Sequence, residues 1–444
     1  MSEQRETFGS RFGAIMTILG AAVGLGNVWR FPYMVGKFGG AAFVMVYVLI
    51  VVAIGIPGLM AELALGRHTR RGPVGAYAAG GLPFGKQLGW FLFFIVTAAT
   101  AYYTAVVGWV LYFAIGQFAV PFGGINAAAI LPPEHGFSLT SLLLQLACSA
   151  TVIGACAFVL IKGLRSGIER ASKVIMPALL IVILVLMVRS LTLPGAMEGV
   201  RWYILKFRLQ DIDAKVVVAA LGHAMFSLSL GGTFMVIYGS YLNKNDKVSS
   251  PAIWTVVGDT GSAILAGFAV IPAVFALGLQ PTSGPGLIFE TLPRVFAGIP
   301  FGWIFGFLFF AGLLGAGYLS DVPAFEALVA GLTDNTRLSR KRAILIMSIA
   351  AFLLSIPPSI NMGIFVPWDL TFGSGMQTLG ALLAVLTLGW CVNRGAALAE
   401  LSAGGERPVP QWLIYWIRFG VPAAIIAVGI WWFVTSVLKT ATAV

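Results

Sequence analysis

Charge is what this sequence has least of. Only 10% of its 444 residues are Asp, Glu, Lys or Arg, against 59% hydrophobic ones, and mean hydropathy is +0.92. That balance excludes an ordinary soluble domain. Cysteine is scarce too: Cys148, Cys156 and Cys391 all fall in apolar stretches, so no disulfide framework is expected. Three scattered histidines make no metal cluster, and neither a Gly-x-x-x-x-Gly-Lys phosphate loop nor a low-complexity tract occurs. An enzyme is therefore not expected. Met1 to Ser10 is polar and of mixed charge, and it does not read as a cleavable signal peptide. The net charge of +11 does not point to nucleic acid, because the basic residues lie in short loops where membrane topology places them.

What is present is apolar length. A span needs roughly 20 residues, and eleven segments qualify: 12–37, 41–66, 88–118, 139–161, 168–190, 214–240, 252–278, 301–332, 342–357, 370–392 and 412–437. The fold expected is all-α, a polytopic protein of the plasma (inner) membrane whose whole length, 1–444, is one transmembrane domain. Basic residues cluster in alternate loops: Arg67, Arg70, Arg71 and Lys86; Lys162, Arg165, Arg170 and Lys173; Lys244 and Lys247; Arg337, Arg340, Lys341 and Arg342. Those loops and the N-terminus are predicted to be cytoplasmic, and an odd span count puts the C-terminus outside. The linkers Leu191–Asp213 and Gln280–Pro300 then lie outside, as lids over an entrance rather than separate domains.

Span one is interrupted at its centre by Gly20-Ala21-Ala22-Val23-Gly24-Leu25-Gly26-Asn27, followed by Arg30 and Pro32. Each glycine weakens a helix by about 1 kcal/mol against alanine. In hydrocarbon, a freed backbone group must find a partner or line a cavity. Two half-helices meeting at mid-membrane are expected, with the amides of Leu25 and Gly26 toward an anion and the carbonyls of Gly20, Ala22 and Val23 toward a cation. The competing reading is a close-packed seam of small residues. Span six carries a second such interruption, Phe226-Ser227-Leu228-Ser229-Leu230-Gly231-Gly232-Thr233, five spans after the first. Because five is odd, the two halves, 12–190 and 214–392, would be inverted repeats with 412–437 as an extra helix. Paired breaks at matching places point to a transporter's midplane site.

These residues carry a resemblance. The stretch from Gly24 to Pro32 is similar to the signature of the neurotransmitter:sodium symporter family, whose bacterial members include the leucine transporter. Further matches are Gly39-Gly40, Tyr47, Gly55-Ile56-Pro57 with Glu62, Tyr102-Tyr103, Gly167-Ile168-Glu169-Arg170, Phe226 to Gly231, and Leu338-Ser339-Arg340-Lys341. The resemblance implies sodium-coupled import of an amino acid by alternating access. The alternatives are a sodium-independent exchanger and a non-transporting sensor or channel-like protein. The partners implied are an amino acid and the lipid bilayer, no nucleic acid, and an oligomeric state left open.

The resemblance also implies a ligand set. The first sodium would take the Ala22 carbonyl, the Asn27 side-chain oxygen and Ser227, oxygen donors that suit a hard cation. Tyr103 would bond the substrate carboxylate. Carbonyls of Ala22, Phe226 and Ser227, with the Ser229 hydroxyl, would hold the ammonium. Gly24 stands where monoamine carriers have aspartate, leaving room for a carboxylate-bearing substrate. The asparagine that completes the leucine transporter's first sodium site falls at Gly258, with Asp259 beside it. Asp259 is expected to complete the shell and to supply the charge that animal members take from chloride. Chloride itself stays open, since Tyr47, Ser227 and Ser262 keep hydroxyls resembling its site while His223, read as a satisfied packing histidine, replaces the usual glutamine. The second sodium would use Gly20, Val23, Ala316 and Ser320. Leu319 stands where the family has a hydroxyl or carboxylate. Either Asp321 substitutes by a one-residue register change with Pro323 distorting the helix, the reading preferred here, or the second site is lost, so one or two sodium ions are expected.

The side-chain pocket would be lined by Ala99, Tyr103, Phe226, Ser229, Gly232, Ser320, Asp321 and Ala324. Ala99, Gly232 and Ala324 replace bulkier family residues, so a large, neutral or aromatic side chain is expected, or one carrying a donor or positive charge toward Asp321. Arg30 with Asp369 would form the outer gate and Arg5 with Asp334 the inner one, while Glu62 would support a bend in span two.

Overall fold

The computed structural model describes residues 6–279, 287–405, 408–432 and 434. Every one of the eleven expected segments is a helix or a helix pair. Among the described residues, nine helices are long and apolar enough to cross a membrane, and the pair Arg11–Ala22 and Gly26–Lys37, bent by 51°, makes a tenth. Span six is the other divided segment, Ala214–Ser227 followed by Phe234–Ser240. The remaining spans are Ala41–Thr69, Gly85–Phe122, Leu139–Ile161, Leu164–Leu191, Ser249–Ala276, Gly302–Asn335, Arg340–Ser359, Met362–Cys391 and Gln411–Trp431. The predicted end of span eleven, residues 435–437, lies outside the described residues.

Local chemistry fixes several starts. The Ser10 hydroxyl accepts from the Gly13 amide at 3.0 Å, the Ser138 hydroxyl from Ser141 at 3.3 Å and the Asp213 carboxylate from Val216 at 2.8 Å. Each caps an otherwise unpaired helix N-terminus, and together they launch spans one, four and six. Span ten begins eight residues before its expected start. Asn361 caps the turn ahead of Pro367 by accepting from the Ile364 amide at 3.0 Å. The helix then absorbs the proline.

One continuous apolar core draws residues from every span. Leu143, Phe158, Ile181, Leu345 and Phe419 point outward instead, as lipid-facing side chains do. Spans two and six meet backbone to backbone. Any Cβ on Gly66 would strike the Val236 carbonyl, and one on Gly239 the Leu63 carbonyl. Small residues allow this approach in a membrane, where packing rather than hydrophobicity holds helices together. The long spans three and eight pack along their lengths and form the wall facing the two breaks.

The described residues of the two linkers expected outside pack on the helices. In the first, the helical turns over 196–205 lie on span seven, and Trp202 closes over Gly40. In the second, residues 280–286 lie outside the described residues, while Phe289 packs edge-on against Trp29 and Trp109 at centroid distances of 5.7 and 5.9 Å.

Candidate functional site

The two breaks face one another. In span one the chain leaves the helix at Val23 and resumes at Gly26. Span six leaves it after Ser227, and Ser229 and Thr233 adopt φ of 53° and 64° with Gly231 at 86° between them. Left-handed backbone costs a non-glycine residue about 1–2 kcal/mol. Two contacts offset that cost: the Ser229 hydroxyl donates to the Ala21 carbonyl at 2.8 Å, and the Gly231 amide donates to Glu62 at 2.8 Å. The second contact corrects the reading of Glu62. It holds the break in span six open rather than supporting a bend in its own span, whose π-turn at Val51–Gly55 ends seven residues earlier.

At the meeting point lies a buried polar cluster. Asn27 donates its amide to the Asp259 carboxylate at 2.7 Å and to the Asp259 backbone carbonyl at 3.0 Å. The Ser227 hydroxyl is 3.0 Å from both Asp259 oxygens, and the Tyr47 hydroxyl is 3.2 Å from one. The Asn27 side-chain oxygen accepts the Gly24 amide at 3.0 Å. Asn27, Ser227 and Asp259 thus come together from spans one, six and seven, all at most 1% exposed. A carboxylate, an amide oxygen, a hydroxyl and neighbouring carbonyls form an oxygen-donor set suited to a hard monovalent cation. Ser262 lies nearby, its hydroxyl donating to the Asp259 carbonyl at 2.8 Å.

His223 does not fit its expectation. It is fully buried among Phe31, Phe43 and Tyr47, with ring centroids 5.2–6.2 Å away. Neither of its nitrogens has a hydrogen-bond partner among the described residues. The histidine is packed as an aromatic ring but not satisfied as a polar one.

Beside the cluster lies a central cavity. Of the expected substrate residues, Ala22, Gly24, Gly26, Ala99, Tyr103, Phe226, Ser227, Ser229, Ser320, Asp321 and Ala324 line it. Leu25 contributes its backbone instead, donating its amide to the Tyr103 hydroxyl at 3.3 Å. Gly232 is displaced from the wall: the Gln377 amide and the Phe234 ring fill the space where a side chain on it would stand. The volume freed at Gly232 is therefore used by the protein itself. A Cβ on Gly24 would collide with the Ser320 hydroxyl and stand 3.0 Å from that of Tyr103.

Sequence reasoning missed five lining residues: Val96, Thr100, Tyr102, Phe234 and Gln377. Val96 and Thr100 lie one helical turn before Ala99 and Tyr103, so helical periodicity could have found them. Gln377 could not be found this way, since nothing local ties span ten to the break in span six.

The second cation region differs from its expectation. Span eight runs as a helix through Pro323, and the Leu319 side chain fills the space beside Gly20, 3.2 Å from where a Cβ would be. Ser320 donates to the Ala316 carbonyl at 3.3 Å. Val23 donates its amide back to Leu19 at 2.8 Å. The register change does not occur. Asp321, two residues beyond Leu319 and so on another helix face, turns to span three, where the Thr104 hydroxyl is 3.3 Å away.

Outward of the cavity, the Arg30 guanidinium lies over the Phe226 ring at 4.4 Å. Asp369 faces Arg30 and accepts from Tyr102. Phe226 and Gln377 border both the central cavity and an outer one lined by Arg30, Lys37 and His223. Of the inner pair, Arg5 lies outside the described residues, and Asp334 accepts the Gly72 amide at 2.7 Å. The inner side also holds Glu326, paired with Arg340 at 2.6 Å and hydrogen-bonded by Tyr241.

Comparison with known proteins agrees with this geometry. The model of the sodium:neurotransmitter symporter family matches residues 5–127 and 138–442. An uncharacterized sodium-dependent transporter of Bacillus subtilis, YhdH, is 32% identical over 96% of this chain and 98% of its own length. Another from Methanocaldococcus jannaschii, MJ1319, is 31% identical over 96% of this chain and 90% of its own. Among solved structures, MhsT in complex with L-phenylalanine matches with a TM-score of 0.84 at 34% identity, over 96% of this chain and 99% of that one.

Proposed function

The chain belongs to the sodium:neurotransmitter symporter family, and from that premise we propose that it imports an amino acid together with sodium by alternating access. One observation carries the reading: Asn27, Ser227 and Asp259, from three spans, form a buried oxygen cluster against a cavity framed by two broken helices. Sodium bound there takes the Asp259 carboxylate, the Asn27 and Ser227 oxygens and the Ala22 carbonyl as ligands. Its charge then attracts the carboxylate of an amino acid seated against Gly24, Leu25 and Gly26, beside the Tyr103 hydroxyl. The ammonium sits toward the carbonyls of Ala22, Phe226 and Ser227. Each ligand completes part of the other's site, so each raises the other's affinity by the same factor.

A large, neutral or aromatic side chain occupies the end bounded by Val96, Ala99 and Ala324. The small size of Ala99 and Ala324 supports this, as does the phenylalanine named in the complex of the MhsT neighbour. Arg30 and Phe226 then close the outer path, and the 12–190 and 214–392 halves act as inverted repeats around the site. The basic alternate loops face the cytoplasm. Asp259 stands in for chloride, and one sodium drives transport. Leu319 supports that stoichiometry over two, because its apolar methyl lies against Gly20 where the family has an oxygen ligand.

The test is uptake of radiolabelled amino acids into proteoliposomes with and without an inward sodium gradient. Gradient-driven accumulation of at least one large amino acid is expected. Uptake indifferent to sodium would favour the exchanger, and sodium-dependent binding without uptake the sensor.

A further inference from the structure

Asp321 has no role in the sodium cluster, yet it is fully buried and lines the central cavity. A carboxyl group inside a membrane is costly and tends to be functional. Its two oxygens are treated differently. Oδ1 is 3.3 Å from the Thr104 hydroxyl, and Oδ2 has no hydrogen-bond partner among the described residues. The nearby hydroxyls do not meet that need: Thr104 lies 2.8 Å from the Thr100 carbonyl, and Thr100 donates to the Val96 carbonyl at 2.7 Å. When the carboxyl is ionised, Oδ2 is an acceptor. If the carboxyl carries a proton, that proton on Oδ1 closes the contact with Thr104 and leaves Oδ2 as the carbonyl oxygen. An acceptor left bare in a dry cavity costs about 1–3 kcal/mol. A ligand can remove that cost by bringing a donor.

The surroundings say what kind of ligand brings it. Asp321 and Ala324 are three residues apart on one face of span eight and look across at Val96, Ala99 and Thr100 of span three. This is the end assigned above to the substrate side chain. Tyr102, Tyr103, Phe226 and Phe234 also line the cavity, so a flat ring finds aromatic neighbours. The outer cavity carries Arg30, which Asp369 faces, and Lys37, with no carboxylate among its described lining residues. A cationic side chain would have to pass that basic mouth. A neutral one would not be opposed.

Resting on the proposed amino-acid transport, we infer that Asp321 selects aromatic amino acids whose ring bears a neutral O–H or N–H donor. Tyrosine and tryptophan are the substrate class, and phenylalanine is the disfavoured analogue. A site built to bond a donor rejects the analogue lacking it far more strongly than an apolar pocket rejects a missing methylene.

The experiment is competition against sodium-driven uptake of labelled tyrosine by the full chain in proteoliposomes. Phenylalanine, tryptophan, O-methyltyrosine, lysine and arginine are the competitors. Tyrosine and tryptophan are expected to compete about tenfold or more better than phenylalanine and O-methyltyrosine. In Asp321→Ala the preference should fall to near unity in whatever uptake the variant keeps, with monodisperse elution of the purified variant checking that it folds. Equal competition by phenylalanine and tyrosine in the wild type would overturn the inference without needing any variant, and would leave amino-acid transport standing. Lysine or arginine competing best would overturn it in favour of a cation on Asp321. A preference that survives Asp321→Ala would also overturn it. Failure of every amino acid to accumulate with sodium would bring down both this inference and the function it rests on.

Discussion

Two aspartates lie at the middle of this protein, and they are held in opposite ways. Asp259 is enclosed by donors from its own chain: the Asn27 amide, the Ser227 hydroxyl on both oxygens and the Tyr47 hydroxyl. Asp321, equally buried, has one 3.3 Å contact and one bare oxygen. The difference teaches what each is for. The proposed roles follow that difference: a carboxylate knitted into three spans would be a fixed part of a cation shell, and one left half satisfied beside a cavity would be completed by a ligand. Burial alone would have made them look alike.

The sharpest way to break that contrast is to neutralise each in turn. Removing one partner of a buried, hydrogen-bonded charge costs roughly 3–5 kcal/mol. Asp259→Asn should therefore lower sodium affinity about 100-fold or more, abolishing uptake of every substrate, as sodium titration of transport would report. Asp321→Ala should leave sodium dependence intact in whatever uptake it keeps, and alter selectivity. If both variants failed alike, the two groups would not be functionally distinct.

A smaller effect is expected between them. Gly24→Ala places a methyl against the Ser320 hydroxyl and 3.0 Å from that of Tyr103. Overpacking of this kind costs about 1–3 kcal/mol, so apparent substrate affinity should fall roughly 5- to 100-fold. Weaker still should be Leu319→Thr, which offers an oxygen where a methyl now lies against Gly20. Sodium activation of uptake should steepen from hyperbolic toward sigmoidal, with affinity changed by roughly tenfold or less. Unchanged steepness would show that the leucine does not set the ion count. The smallest expected effect is none at all: with Asp259 supplying the fixed negative charge as proposed, replacing chloride by gluconate should leave uptake unaltered. A strict chloride requirement would remove Asp259 from that role.

Much of the scaffold was legible because the signals are short-range. Apolar length located the spans, and Gly20 to Asn27 and Ser227 to Gly232 marked both breaks, since glycine and polar residues cannot hold a helix together in hydrocarbon. Span ten was misplaced at its start for the same kind of reason: Pro367 is a local stop signal that the Asn361 cap overrides. The cavity was legible only where a turn repeats. Ala99 and Tyr103 imply Val96 and Thr100, but Gln377 and Phe234 occupy the room that Gly232 seemed to free.

The amino-acid order by itself determined how many times the chain crosses and where two crossings come apart, because helix formation and its failure depend on neighbours within a turn or two. Only the tertiary structure decided which groups those openings meet. That Glu62 holds Gly231, that Leu319 rather than Asp321 lies against Gly20, and that Asp321 turns to Thr104 all follow from helices packed at fixed rotations. Such rotations are set by close packing between distant spans, and no stretch of one span encodes the face its neighbour will present.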